Sequence, residues 1–260
     1  MNRVDGPTLF ARYAYPPNAH GYCGPDDDGA LLRRGAGGGG EDLTALAKAF
    51  DGAWPYLEFI AELTGRDPLD HEVVEAYWLS TPLLDAIDLA EHGPELLTRL
   101  RHRAGPLAHI PSTVPPDARC DHNFHCFEIY PWMGLLAAGR GGDRPREVLD
   151  RCRIRWGEVV AVNGGEVVLD SQPLVWDGQT LSLGEPTRET AIWTLGGVGF
   201  VEDLHPADMV ALHWEWVCDR LDAQRFDALR RSTIRQLSIA NRQLALTAGY
   251  SGHRLMRPGG

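Results

Sequence analysis

The chain has 260 residues, 43% of them hydrophobic, and a formal net charge of −11 from 25 Lys and Arg against 36 Asp and Glu. That length supplies core for one large domain or two modest ones, and the acidic balance argues against a nucleic-acid partner, whose phosphates need a basic face. No window approaches the roughly 20 apolar residues of a bilayer span, and the first residues lack the apolar stretch of a secretory signal, so a cytoplasmic protein without a membrane partner is expected.

The five cysteines, Cys23, Cys120, Cys126, Cys152 and Cys218, are an odd number and include no Cys-x-x-Cys pair. A disulfide framework, a thioredoxin-like motif and a zinc ribbon are therefore all poorly supported.

Residues 1–40 read as irregular. The segment from Tyr13 to Asp28 is dense in proline, glycine and aspartate, residues that set turns. Its tyrosines and Cys23 are too apolar for a free tail, so it is expected to pack over the domain as a cap. Gly35 to Gly40 lacks the Gly-Lys-Ser/Thr ending of a phosphate loop.

From Glu41 to Arg103 the apolar period is helical. Leu43, Leu46, Ala47 and Phe50 begin it, and Trp54, Leu57, Phe59, Ile60 and Leu63 continue it to Gly65. A helix start at Asp67–Asp70 precedes the stripe Val73, Val74, Tyr77 and Trp78. Another helix follows Pro82, Gly93-Pro94 is expected to break it, and a last one runs to Arg103. Short connections imply a compact bundle. Around Cys120–Trp132, Phe127, Ile129 and Tyr130 have strand-type composition, and Arg140–Pro145 reads as a linker between domains.

After Cys152 the period changes to that of strands. Ile154–Val162 and Glu166–Leu169 flank Asn163-Gly164, the strongest short hairpin signal. A second hairpin turns at Asp177-Gly178, and further strands cover Glu189–Thr194, Gly199–Val201 and Met209–Trp214. A helix from Asp222 to about Leu246 carries Phe226, Leu229, Ile234, Leu237 and Leu244 on its apolar side. The expected fold class is α+β. A helical domain with an irregular cap (1–145) precedes a small barrel of the oligonucleotide-binding type closed by a C-terminal helix (146–248), with a loose tail at 249–260.

Cys152-Arg-Ile-Arg-Trp-Gly-Glu-Val159, the paired Gly196-Gly197 and Pro206-Ala-Asp-Met-Val-Ala-Leu-His213 occur in an order and spacing that resemble the small nickel–iron hydrogenase maturation chaperones of the HypC/HupF type. The likeness covers about residues 152–245, with Trp156 where that family has proline. It implies a barrel in which Cys152 and His213 hold an iron–cyanide–carbonyl fragment, and a partner that is the hydrogenase large subunit or another maturation protein. The family's cysteine is the first residue of the mature chain, whereas Cys152 is internal and has no terminal amine. A thiolate and an imidazole both suit soft ferrous iron. Arg151, Arg153 and Arg155 are expected to help keep the thiol ionised.

A second ligand-rich cluster, His122, His125 and Cys126, suits zinc or iron, although strand geometry would send the two histidines to opposite faces. Three functions are therefore open: an accessory protein of hydrogenase assembly, a metal-dependent enzyme built on His122, His125 and Cys126, and a docking scaffold without chemistry.

Overall fold

The computed structural model describes residues 3–26, 29–38, 42–103 and 108–254, with side chains as far as Leu246. The architecture is α+β, with helices first, a ring of strands next and one long helix last. No helix among the described residues is long and apolar enough to cross a membrane.

The N-terminal region is more regular than its composition suggests, because residues 6–19 form a helix, α1 (Gly6–Ala19). Asp5 caps it by accepting from the Thr8 N–H at 2.8 Å, and Pro7 occupies the first turn, where no N–H is needed. Pro16 and Pro17 fall in its last turn. Having no N–H, they leave the Arg12 and Tyr13 carbonyls without the donors four residues on that a helix normally supplies. A short α2 (Ala30–Gly35) follows. Asp27 and Asp28 of the expected cap lie outside the described residues, as do Gly39 and Gly40.

The helical half continues with α3 (Thr44–Lys48), α4 (Trp54–Thr64), α5 (His71–Leu79) and, after a 3-10 turn at Pro82–Ala86, α6 (Leu89–Arg103). The break expected at Gly93-Pro94 does not occur. Pro94 lies early in α6, where it forfeits one bond, to the Ala90 carbonyl. The segment of strand-type composition is helical too. Asp121 accepts from the Phe124 N–H and starts a short α7 (His122–Phe124), which widens into a π-helical turn at His125–Ile129. Every residue from Asp121 to Ile129 is buried, so tertiary packing overrides β propensity here. Two further helices, α8 (Trp132–Ala137) and α9 (Arg144–Cys152), lead to the strands.

In the second half β1 (Arg155–Asn163) turns through Gly164-Gly165 into β2 (Glu166–Ser171), with Asn163 opposite Glu166. Gly164 takes φ +62°, the left-handed conformation a tight hairpin turn needs. A separate ribbon forms from β3 (Leu174–Trp176) and β4 (Leu181–Leu183). Then come β5 (Thr187–Ile192), a small hairpin of β6 (Thr194–Leu195) and β7 (Val198–Gly199), β8 (Met209–His213) and β9 (Trp216–Arg220). Five strands close in the order β1-β2-β5-β9-β8; β5 and β9 are parallel and meet at Ile192 and Trp216. β9 was not anticipated: it fills the gap between the expected strand Met209–Trp214 and the expected helix start at Asp222, and His213 ends the strand before it.

The last helix, α10 (Ala223–Arg254), passes the expected end at 248, so 249–254 are helical rather than loose; residues 255–260 lie outside the described residues. Its buried side carries Leu229, Thr233, Gln236, Leu237 and Ala240, whereas Ile234 is 46% exposed. Gln236 and Asn241 face inward because they have partners, Glu128 at 2.7 Å and both backbone groups of Leu181. One core joins the halves: Phe10, Tyr13, Leu57 and Trp78 from the helices are continuous with Trp156, Val210, Trp216 and Val217 from the strands.

Candidate metal centre

The start of β1 and the end of β8 are neighbours, with Arg155 opposite Leu212. Beyond that register the chain turns sharply at Trp214, whose φ of +55° is unusual for a bulky residue. The turn is fastened to the end of α9, since the Trp214 N–H donates to the Arg151 carbonyl at 2.8 Å and the Arg155 guanidinium donates to the Trp214 carbonyl. These bonds bring His213 beside Cys152, the last residue of α9. His122, from α7, closes the group. Ligand atoms of His122, Cys152 and His213 all lie within 4.8 Å of one another.

The imidazole of His213 is fully buried, and its Nδ1–H donates to the Tyr13 carbonyl at 2.6 Å. That carbonyl is one of the two that Pro16 and Pro17 leave without a helical donor. The bond fixes the tautomer: Nε2 carries the lone pair and has no hydrogen-bond partner among the described residues. A ligating histidine commonly has its second nitrogen held in this way by a backbone carbonyl. His122 is held by Tyr77, whose hydroxyl lies 3.2 Å from Nδ1 and 2.9 Å from the Gly52 carbonyl. Its Nε2 lies 2.9 Å from the Cys152 carbonyl and 3.3 Å from Cys126 Sγ. Because the hydroxyl can donate to either neighbour, His122 can carry its proton on either nitrogen.

The Cys152 thiol is held well below its ordinary range. The Cys126 S–H, 3.6 Å away, donates to its sulfur and does most to stabilise the thiolate; burial opposes this, and the His122 imidazole adds to it. Of the three neighbouring arginines, Arg151 is exposed, and Arg153 and Arg155 are otherwise engaged. Arg153 pairs with Asp150 at 2.9 Å and donates to the Gln172 carbonyl, and Arg155 pairs with Glu189. Burial pushes the Cys126 thiol up, and its bond to Cys152 adds to the rise. Burial also lowers His213, which stays neutral. One thiolate and two imidazoles form a donor set for zinc, copper or ferrous iron. The unpaired Nε2 of His213 fits it, because a buried acceptor without a donor is costly unless something fills its lone pair.

The structure redistributes the two candidate clusters. Cys152 and His213 come together, and His122 joins them rather than forming a separate set with His125. Helical spacing, four residues on, places Cys126 beside His122. His125 points elsewhere, lying edge-on to Tyr56 and Tyr130 with ring centroids 5.6 and 5.0 Å away. A Cβ at Gly52 would lie 2.7 Å from its Nε2. Neither ring nitrogen has a hydrogen-bond partner among the described residues, and burial lowers its pKa to about 3. Over the turn beside the site, the Tyr22 ring sits 4.5 Å from that of Trp214, and His20 bonds Glu215 at 2.6 Å. Tyr13 and Tyr77 were missed as supporting groups. Adjacent prolines ending a helix are the one sequence signal that could have marked Tyr13.

A second polar region is a cleft of about 740 Å³ lined in part by Arg12, Glu75, Asp219 and Arg225. Asp219 lies 2.9 Å from Arg225 and 3.5 Å from Arg12, and Arg225 is also within 3.9 Å of Glu75. Burial raises the Asp219 carboxyl despite these cations.

No curated protein and no solved structure matches the chain. Residues 2–247 match a family of unknown function, DUF6390, and the chain belongs to that family.

Proposed function

We propose that this protein is an accessory protein of nickel–iron hydrogenase assembly, working in the cytoplasm. It holds ferrous iron, as an iron–cyanide–carbonyl fragment, for the hydrogenase large subunit or a maturation partner. The fragment is cargo, carried on Cys152 and His213 with His122 as a third donor. The observation that carries this reading is the approach of the Cys152, His213 and His122 ligand atoms to within 4.8 Å, two of them the residues singled out by the chaperone resemblance. Two ligands of one metal at roughly 2.0–2.3 Å from it lie about 3–4 Å apart, so small side-chain movements suffice.

Cys152 lacks the terminal amine of the chaperones' cysteine. His122 takes up that deficit, because a second imidazole supplies a nitrogen donor in the amine's place. Cys152 closes α9 and His213 closes β8, so the ligands belong to separate elements. Release then requires the α9 terminus to part from the turn at Trp214, breaking the Trp214–Arg151 bond of 2.8 Å.

The test uses strains carrying Cys152→Ala or His213→Ala and protein purified without oxygen. Hydrogenase activity is expected to fall strongly in both, and wild-type protein should carry iron with the infrared bands of bound cyanide and carbon monoxide. Fully active hydrogenase in both strains would sink the proposal.

A further inference from the structure

Holding iron leaves one thiol of the cluster without a task. Cys126 Sγ lies 3.6 Å from Cys152 Sγ, with its S–H directed at that sulfur, and 3.3 Å from His122 Nε2. The two residues differ in surroundings. Cys126 is 1% exposed within the π-helical turn, whereas Cys152 is half-buried at the end of α9. Among the described residues no other sulfur has a sulfur as its hydrogen-bond partner. Cys218 donates to the Trp216 carbonyl, and Cys120 is buried.

A half-buried thiol whose sulfur lies 3.6 Å from that of a fully buried one is the arrangement of a peroxide-reactive cysteine and its resolving partner. The sulfurs must close by about 1.5 Å to reach the roughly 2.05 Å of a covalent bond, which the helix terminus can supply.

We propose that Cys152 and Cys126 form a peroxide-responsive dithiol. The Cys152 thiolate attacks a hydroperoxide, the O–O bond breaks, and Cys152 becomes a sulfenic acid. The leaving oxygen takes a proton and departs as water, or as an alcohol from an alkyl hydroperoxide. The Cys126 sulfur then attacks the sulfenic sulfur, forming the S–S bond and expelling the hydroxyl, which leaves as a second water with the Cys126 proton. The peroxide is reduced by two electrons and the two thiols are oxidised to one disulfide. A small-molecule dithiol or a thioredoxin-type reductant reverses the change.

The thiol chemistry stands apart from the iron reading, but its consequence rests on it: a disulfide removes the Cys152 thiolate and leaves two imidazoles, too few donors to retain the cargo.

The experiment treats reduced full-length protein, stripped of metal by a chelator, with stoichiometric hydrogen peroxide. Thiols are counted and disulfides mapped by peptide mass spectrometry. Free thiols should fall from five to three, five minus two, with Cys126 linked to Cys152 and full recovery in dithiothreitol. In Cys126→Ser, Cys152 should stop at sulfenic acid, trapped by dimedone. Five thiols persisting under peroxide, or a link from Cys152 to Cys23, would overturn the proposal. Ferrous-iron binding by the reduced protein, measured in parallel, separates the two ideas: a cross-link without iron binding defeats only the iron reading, and iron binding without a cross-link defeats only this one.

Discussion

The charged cleft and the histidine–cysteine cluster are both polar regions inside one apolar core, and they are built on opposite principles. In the cleft Asp219 lies between Arg225 and Arg12, with Glu75 near Arg225, so each buried charge has an opposite neighbour. In the cluster the Nε2 of His213 has no partner among the described residues, although the ring is fully buried. Buried polar groups normally find partners within the fold. Where they do, as in the cleft, their role is accounted for by stability; the buried lone pair of His213, within 4.8 Å of the Cys152 sulfur, is where the proposed ligand would bind. Changes in the cleft should therefore alter stability and spare metal binding, and changes in the cluster should do the reverse.

The sharpest break in that comparison is Cys152→Ser. Iron or zinc titration should show binding weakened beyond the roughly 10–100-fold that loss of a supporting group costs, with the denaturant midpoint little moved. Next is Arg225→Met, which removes the nearer of the two cations beside Asp219 and leaves Arg12 at 3.5 Å. A loss of about 2 kcal/mol in denaturant unfolding is expected, the order of a hydrogen bond to a charged group, at unchanged metal stoichiometry. Pro17→Ala is subtler. It restores an N–H that competes for the Tyr13 carbonyl, so metal affinity should fall by about 10-fold while helix content holds; unchanged affinity would mean that this carbonyl does not orient His213.

The smallest effect concerns His125 in metal-free protein. Its folded pKa of about 3 lies below the ordinary 6.5, so between those values the unfolded chain binds the proton and the folded one does not. Stability attached to this neutral ring is present above pH 6.5 and is lost as pH falls toward 3. His125→Leu should flatten that acid limb in denaturant titrations across the window and leave metal uptake intact.

Much of the barrel was legible. Alternation in Ile154–Val162, the Asn163-Gly164 signal and the paired Gly196-Gly197 mark features that depend on local geometry. The chaperone resemblance singled out Cys152 and His213. What was illegible depends on packing. The strand-like Phe127, Ile129 and Tyr130 gave no hint that burial would wind 125–129 into a π-turn and set His122 and Cys126 side by side. Pro16-Pro17 read as a turn, because proline's cost inside a helix hides its use in freeing a carbonyl. The cleft was invisible as well, since Glu75 and Asp219 meet only after the halves pack together.

The bond between His213 and the Tyr13 carbonyl spans 200 residues of sequence, which bears on when the site exists. Closing so long a loop is entropically costly, and folds dominated by such distant pairings form slowly. A growing chain cannot orient His213 until β8 has been made and has met a helix produced near the start of synthesis. On the proposed function, competence to take up metal thus arises late, after the two halves have joined, and nascent or half-folded chains would not sequester iron. Occupancy of the site would serve as a timestamp of completed folding.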